Sequence, residues 1–134
     1  MSNIKQVIVV RKDLRNVKGE KVRSGKLISQ GAHASMKVFF DRIEYCDNGE
    51  MKISEITPEM EEWINGKFTK IVVSVDSEKE LFDVYFAAKS ANLPCALILD
   101  AGLTEFPEPT NTCCAIGPAQ SENIDKITGH LKLF

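Results

Sequence analysis

Residues 23–35 (RSGKLISQGAHAS) carry polar side chains that could do chemistry, set among unusually small residues. In a helix that turns about 100° per residue, Lys26, Gln30, His33 and Lys37 fall within an arc of about 60°. One helical face therefore combines two cations, an amide and an imidazole. Lys26 would lie in the first turn, where the helix dipole favours an anion. The other side is predicted to be the core face, with Leu27, Ile28, Gly31, Ser35, Val38 and Phe39.

A second polar group follows a predicted strand at residues 95–99. Asp100 ends that strand and Ala101-Gly102 turns the chain, so the Asp100 carboxylate is expected in the crevice outside the sheet. Thr104 adds a hydroxyl. A lysine, a carboxylate, a hydroxyl and an imidazole in one crevice could polarise a carbonyl and activate a water. No serine or cysteine has a G-x-S-x-G context, so this set favours water attack on an ester over a covalent acyl-enzyme.

The charge distribution predicts a local site for a polyanion. The whole chain of 134 residues carries a formal net charge of −2. Between residues 11 and 26, seven basic side chains face only two acidic ones, so this segment carries +5 and the remainder −7. A basic segment on an acidic body indicates one local binding site. The basic residues are Arg11, Lys12, Arg15, Lys18, Lys21, Arg23 and Lys26.

Alternating strand and helix patterns predict an α/β domain around a largely parallel sheet. Strands are predicted at 5–10, 69–75, 95–99 and 112–116, with Gly117-Pro118 as a turn after the last. The first long helix is predicted to start at the N-cap Ser24 and to end near residue 40 or 41. Other helices are predicted to start at Pro58, at a Ser77/Glu80 capping box and at Ser121, and residues 130–134 as a short extended piece.

The predicted sheet brings the two polar groups together. The segment 11–26 and the loop 100–111 both leave carboxyl ends of predicted parallel strands, so they are expected at one edge although about 75 residues separate them. Residues 41–57 are harder to assign. Asn48-Gly49 is the strongest hairpin signal in the chain, but it is equally compatible with a loop between two helices.

Several classes of protein and of site are disfavoured. Cys46, Cys95, Cys113 and Cys114 lack zinc-site spacing and are predicted to be reduced, and the two histidines do not indicate a metal cluster, so neither a metal nor another cofactor is expected. GxGxxG and P-loop patterns are absent. No apolar run approaches the roughly 20 residues of a membrane helix, and the N-terminus lacks a signal-peptide pattern, so a cytoplasmic protein without a membrane partner is expected.

Three stretches together resemble the type 2 peptidyl-tRNA hydrolases of archaea and eukaryotes: residues 24–34 (SGKLISQGAHA), residues 100–105 (DAGLTE), and residues 115–119 with 128–134 (AIGPA and TGHLKLF). The similarity covers nearly the whole chain except residues 41–57. The resemblance implies an α/β fold with a four-stranded mixed sheet flanked by helices, often as a homodimer. We therefore predict one three-layer α/β/α domain over residues 1–134, with a mostly parallel sheet and an atypical insert at about 41–57.

The resemblance also implies an activity, cleavage of the ester that joins a peptide to the 3′ end of tRNA. The family's lysine, aspartate, threonine and histidine fall on Lys26, Asp100, Thr104 and His33, which we predict to be catalytic. The predicted substrate-binding residues are Gln30, Gly102 and the basic residues Arg11, Lys12, Arg15, Lys18, Lys21 and Arg23. In this interpretation the basic segment holds phosphates, Lys26 stabilises the oxyanion or binds a phosphate, and Asp100 orients or deprotonates the attacking water.

The chain departs from the family pattern at two places. Ile28-Ser29 stands where the family usually has two alanines, and Gly31 stands where it often has cysteine. After Asp-Ala-Gly the family commonly has a basic or polar residue and then Thr-Gln, whereas this chain has Leu103, Thr104 and Glu105. Losing a possible cation and gaining a carboxylate is expected to weaken the attraction of this loop for phosphate. Two other interpretations stay open: an esterase for another aminoacyl ester, and a catalytically idle tRNA- or protein-binding module with residues 42–56 as a contact surface.

Overall fold

Residues 3–134, which the computed structural model describes, form seven strands and four helices. The strands are β1 (Ile4–Arg11), β2 (Ile43–Tyr45), β3 (Met51–Ile53), β4 (Lys70–Val75), β5 (Cys95–Asp100), β6 (Thr110–Gln120) and β7 (Lys132–Leu133). The helices are α1 (Ser24–Phe40), α2 (Pro58–Asn65), α3 (Glu78–Ser90) and α4 (Ser121–Thr128). In this part of the chain no helix is long and apolar enough to cross a membrane.

The main sheet has five strands in the order β5-β6-β1-β4-β7, not the predicted four. The fifth strand is β7, which the sequence suggested only as a short extended piece and which pairs antiparallel with β4. The sheet is mixed, as predicted. Strands β1, β4 and β5 run in one direction, but only β1 and β4 are parallel neighbours, because the antiparallel strand β6 lies between β1 and β5.

Helices cover both faces of the sheet, which confirms the predicted three-layer α/β/α architecture. On one face, α1 and α2 bury Val38, Met60 and Trp63 against alternate residues of β1, β5 and β6. On the other face, α3 and α4 bury Leu81, Val84 and Ile124 against the intervening residues of the same strands and of β4. The period of two along a strand supplies both core faces.

Helix α1 begins one residue earlier than predicted. Arg23, not Ser24, is the N-cap, since its backbone is extended and its carbonyl accepts hydrogen bonds from the N–H groups of Lys26 and Leu27. The predicted core face is partly wrong as well. Val38 and Phe39 are buried, but Ile28 is 72% exposed, because it lies where α1 borders an open groove over β1 and β4.

Two other local predictions have clear outcomes. Asn48-Gly49 does form a hairpin, in which β2 and β3 pair antiparallel and Gly49 has φ +86°. The turn predicted at Gly117-Pro118 is wrong, since β6 continues through these residues to Gln120. Gly117 has φ +96°, and a Cβ there would lie 2.6 Å from the carbonyl oxygen of Lys5 on the neighbouring strand, so the strand needs glycine at this position.

Candidate active site

The first turn of α1 and the carboxyl end of β5 meet at one ion pair. The Nζ atom of Lys26 lies 2.8 Å from Oδ1 of Asp100, and it donates a second hydrogen bond to Oγ1 of Thr104 at 3.1 Å. The Lys26 and Asp100 side chains are only 15% and 12% exposed. The two segments therefore meet at one edge of the sheet, as the sequence predicted, although 74 residues separate this pair.

Gln30 joins the same pair from the next turn of α1. Its side-chain amide donates to Oδ1 of Asp100 at 3.1 Å, and its Oε1 accepts a hydrogen bond from the Thr112 hydroxyl at 2.6 Å. Gln30 and Thr112 are buried, with 1% and 0% of their surface exposed. Thr112 was not among the residues predicted for the site. A hydroxyl at the start of the apolar run 112–116 was its only signal.

Asp100 accepts hydrogen bonds on both carboxylate oxygens. Besides the two donors on Oδ1, the backbone N–H of Gly102 donates to Oδ2 at 3.0 Å. Gly102 has φ +79°, and a Cβ on it would lie 2.4 Å from the backbone carbonyl carbon of Glu108, so this turn requires glycine. Burial alone raises the pKa of Asp100, but the hydrogen bonds from Lys26, Gly102 and Gln30 outweigh burial, and the net effect lowers that pKa below its ordinary value.

The site has unused hydrogen-bonding capacity. A lysine ammonium has three N–H donors, and two of those on Lys26 are engaged. Oδ2 of Asp100 accepts a single hydrogen bond and can accept another. Beneath the ammonium lies the ring of Phe106, 5.5 Å from Nζ to the centroid, and Phe106 packs with Leu14 and Val22. One N–H of Lys26 and one acceptor position of Asp100 are therefore available to a ligand.

The residues of the predicted basic segment fall into two groups, those with an acidic partner and those without one. Arg11 is bound internally: its guanidinium donates to both carboxylate oxygens of Asp13 at 2.9 and 2.7 Å and to the carbonyl of Asn111 at 3.0 Å. The hydrogen bonds that Arg11 donates to Asp13 raise the pKa of Arg11 despite its partial burial. The Nζ atom of Lys12 lies 3.9 Å from Oδ1 of Asp76. The charge of Arg11 is thus already balanced, and its binding of phosphate stays a prediction.

Three other cations project from a short turn. Arg15 and Lys21 face each other across an antiparallel bridge, and the Asn16 side chain accepts hydrogen bonds from the N–H groups of Lys18 and Glu20. Arg15, Lys18 and Lys21 are exposed, and none forms an ion pair within residues 3–134. We call residues 15–21 the basic turn. It presents three positive charges that no ion pair within the described residues balances, although Arg15 also donates to the Leu14 carbonyl.

Arg23 and Glu105 form a second link between α1 and the loop after β5. Nε and Nη2 of Arg23 both lie 2.9 Å from Oε1 of Glu105. The backbone N–H of Val17 in the basic turn also donates to the Glu105 carbonyl at 3.0 Å. The carboxylate that was expected to repel phosphate is therefore balanced by an arginine.

His33 does not join this cluster. It is exposed on α1, and in the described part of the chain it has neither a hydrogen bond nor an ion pair. Lys37, further along the same face, pairs with Asp41 at 2.7 Å. The structure brings together Lys26, Gln30, Asp100, Gly102 and Thr104, whereas a role for His33 stays a prediction.

The cysteines take no part in the cluster as nucleophiles. All four are free thiols, as predicted. Burial raises the pKa of Cys113 to about 11, so its thiol is protonated near neutral pH and donates to the Gln30 carbonyl at 3.3 Å.

Comparison with known proteins gives a consistent result. The family model described as Peptidyl-tRNA hydrolase PTH2 matches residues 4–134. A Methanocaldococcus jannaschii protein named Peptidyl-tRNA hydrolase is 42% identical over 131 residues, which cover 98% of this chain and all of that protein. Proteins of the same name from Thermococcus onnurineus and Pyrobaculum aerophilum are 40% and 34% identical, over 99% and 98% of both chains in each case.

Proposed function

Because the chain belongs to the peptidyl-tRNA hydrolase PTH2 family, we propose that it hydrolyses the ester between a peptide and the 3′ end of tRNA, at Lys26 and Asp100. The observation that carries the assignment to these residues is the largely buried ion pair with one N–H and one acceptor position unused. An ester hydrolase needs a donor for the carbonyl oxygen and an acceptor for the attacking water, and the pair offers both.

Lys26 supplies the donor in this mechanism. When water attacks the ester carbonyl, negative charge develops on the carbonyl oxygen, and the third N–H of Lys26 stabilises it. The other two N–H groups hold the ammonium in place through Asp100 and Thr104, so little reorganisation is needed during the reaction. The water oxygen then bonds to the carbonyl carbon, the ester C–O bond breaks, and the ribose oxygen leaves with a proton derived from that water.

Asp100 and Thr104 position the reacting groups. The lowered pKa of Asp100 makes it a weak base, so its main role is to accept a hydrogen bond from the attacking water at Oδ2 and to orient Lys26. The Thr104 hydroxyl accepts from Lys26, which leaves its own proton free for the water or the ribose. Gln30 and Thr112 support Asp100 from the buried side.

The decisive experiment for the activity uses the purified protein and an N-acetyl-aminoacyl-tRNA, with the corresponding free aminoacyl-tRNA as control. We expect the blocked substrate to be cleaved and the free one to be cleaved much more slowly. Equal cleavage of both would favour the rival esterase interpretation. Binding of tRNA without cleavage would favour the idle binding module, against which the preformed Lys26–Asp100 pair already argues.

The tRNA is held mainly by the basic turn and Arg23 in this proposal. Four phosphate contacts predict that log Kd changes with log salt concentration with a slope of magnitude about 3 to 4, far less steep than seven contacts would give. Lys18→Gln is expected to reduce the slope by about 0.9, because one counterion fewer is released on binding. The matched control is Lys52→Gln, which changes an exposed lysine on the β2–β3 hairpin and should leave the slope unchanged. A slope near 6 would contradict this division of the basic segment.

The proposal includes a homodimer that works in the cytoplasm, where peptidyl-tRNA arises. An apolar groove of about 630 Å³ lies between α1 and the strands β1 and β4, and its rim includes the exposed side chains of Ile28, Met36, Phe68 and Phe134. An apolar surface of this kind fits association with a second copy. A solution mass near 14.9 kDa, that of one chain, would contradict the dimer.

A further inference from the structure

Glu105 is an unusual carboxylate for an exposed loop. Its side chain is only 12% exposed, and its Oε2 atom is buried without a hydrogen-bond partner in the described part of the chain. The hydrogen bond from Nε of Arg23 and the ion-pair contact of its Nη2 both go to Oε1. Since a buried charge is costly unless it is paired, Arg23 is the group that makes this carboxylate tolerable, and the pair is expected to stay closed.

The pairing leaves one side of Arg23 free. A guanidinium has five N–H donors in a rigid plane, and Glu105 occupies the side formed by Nε and Nη2. The remaining N–H groups, on Nη1 and Nη2, point away from Glu105, and the Arg23 side chain is 83% exposed. Arg23 thus presents a flat pair of donors to solvent while its own orientation is fixed.

We propose that Glu105 is a positioning residue that holds Arg23 as a preformed receptor for a phosphate in the single-stranded 3′ end of the substrate. This inference rests on the proposed function and specifies how that site binds its substrate. The free side of a guanidinium matches a phosphate with two parallel hydrogen bonds. Arg23 is the N-cap of α1, one helical turn or about 5 Å ahead of Lys26, so the bound phosphate lies next to the ester.

The proposal reverses the expectation from charge alone. If Glu105 acted only as a negative charge, Glu105→Gln would tighten the binding of a polyanion. If it positions Arg23, the same variant frees the guanidinium to move and weakens binding. Glu108, an exposed carboxylate in the same loop, provides the matched control, because Glu108→Gln removes an equal charge that forms no hydrogen bond or ion pair with Arg23 among the described residues.

The experiment measures kcat and KM for an N-acetyl-aminoacyl-tRNA and, separately, Kd for a short RNA that ends in CCA. We expect Glu105→Gln to raise KM and Kd about three- to fivefold with kcat within twofold, whereas Glu108→Gln leaves both constants unchanged or slightly lower. In an Arg23→Gln background, Glu105→Gln should have no further effect. Arg23→Gln alone should reduce the salt slope of RNA binding by about 0.7.

The outcomes separate this inference from the proposed function. Tighter RNA binding by Glu105→Gln, or a weakening that persists unchanged in the Arg23→Gln background, would overturn the positioning role. If Glu105→Gln lowered both kcat and thermal stability but left KM and the salt slope unchanged, the positioning role would also be overturned. That result would indicate a purely structural role for Glu105. Absence of hydrolysis by the unmodified protein would contradict the proposed function, while the RNA-binding measurements would still decide the role of Glu105.

Discussion

Lys26→Ala is expected to lower kcat/KM for N-acetyl-aminoacyl-tRNA by about 1000-fold. The change removes the donor proposed for the developing oxyanion, and one such donor contributes about 100- to 1000-fold. It also leaves Asp100, with a side chain only 12% exposed, without its cation, so the geometry of the site suffers as well. Single-turnover hydrolysis with enzyme in excess of substrate but below saturation measures kcat/KM.

The matched control for this variant is Lys37→Ala. Lys37 is on the same helix and on nearly the same face, but its ion pair with Asp41 is 44% and 51% exposed at the two side chains. Its loss should change activity less than twofold, because exposed pairs contribute little. If Lys26→Ala kept full activity and tRNA affinity, Lys26 would have no role in the reaction.

Asp100→Asn is expected to lower kcat by at least about 100-fold while the protein stays folded. Within residues 3–134 the Asp100 side chain only accepts hydrogen bonds, from Lys26 and Gln30 at Oδ1 and from the Gly102 N–H at Oδ2. An asparagine would therefore direct its own NH2 group at a donor in either orientation, and the ordered acceptor for water would be lost. Asp41→Asn serves as control, and undiminished turnover by Asp100→Asn would exclude the water-binding role.

The lowered pKa of Asp100 adds a pH dependence to this comparison. A carboxylate whose pKa is lowered by folding contributes stability above its ordinary pKa of 3.8, and that contribution is lost as the pH falls through the lowered value. The difference in unfolding free energy between native protein and Asp100→Asn should therefore be constant from about pH 5 to 8 and shrink below about pH 4. Urea denaturation at several pH values measures it, and a difference that changes near pH 6 would contradict the lowered pKa.

Local periodicity accounts for much of what the sequence predicted. The helical period placed Lys26 and Gln30 on one face, and both do reach Asp100. Because ligands gather at the carboxyl ends of the strands in such a sheet, Asp100 was predicted at the same edge as Lys26. These predictions succeeded because each depends on a few neighbouring residues or on strand direction, which β1 and β5 share.

The remaining features depend on contacts between distant segments. Thr112 reaches Gln30 only because β6 runs antiparallel between β1 and β5, an order that strand patterns do not specify. The burial of Glu105 depends on its contact with Arg23, which lies 82 residues earlier in the sequence. Likewise, Ile28 looks like a core residue by its period, yet the side of α1 that carries it borders an open groove.

The long sequence separation of Lys26 from Asp100 and Thr112 also has a consequence for folding during synthesis. A chain under synthesis that has reached only α3 contains the lysine and the glutamine, but neither the carboxylate nor β6, whose insertion completes the centre of the sheet. Contacts of such long range form late, since the intervening chain must first be ordered. Catalytic competence therefore arises near the end of folding, and partly synthesised or partly unfolded copies carry a basic turn without a working site.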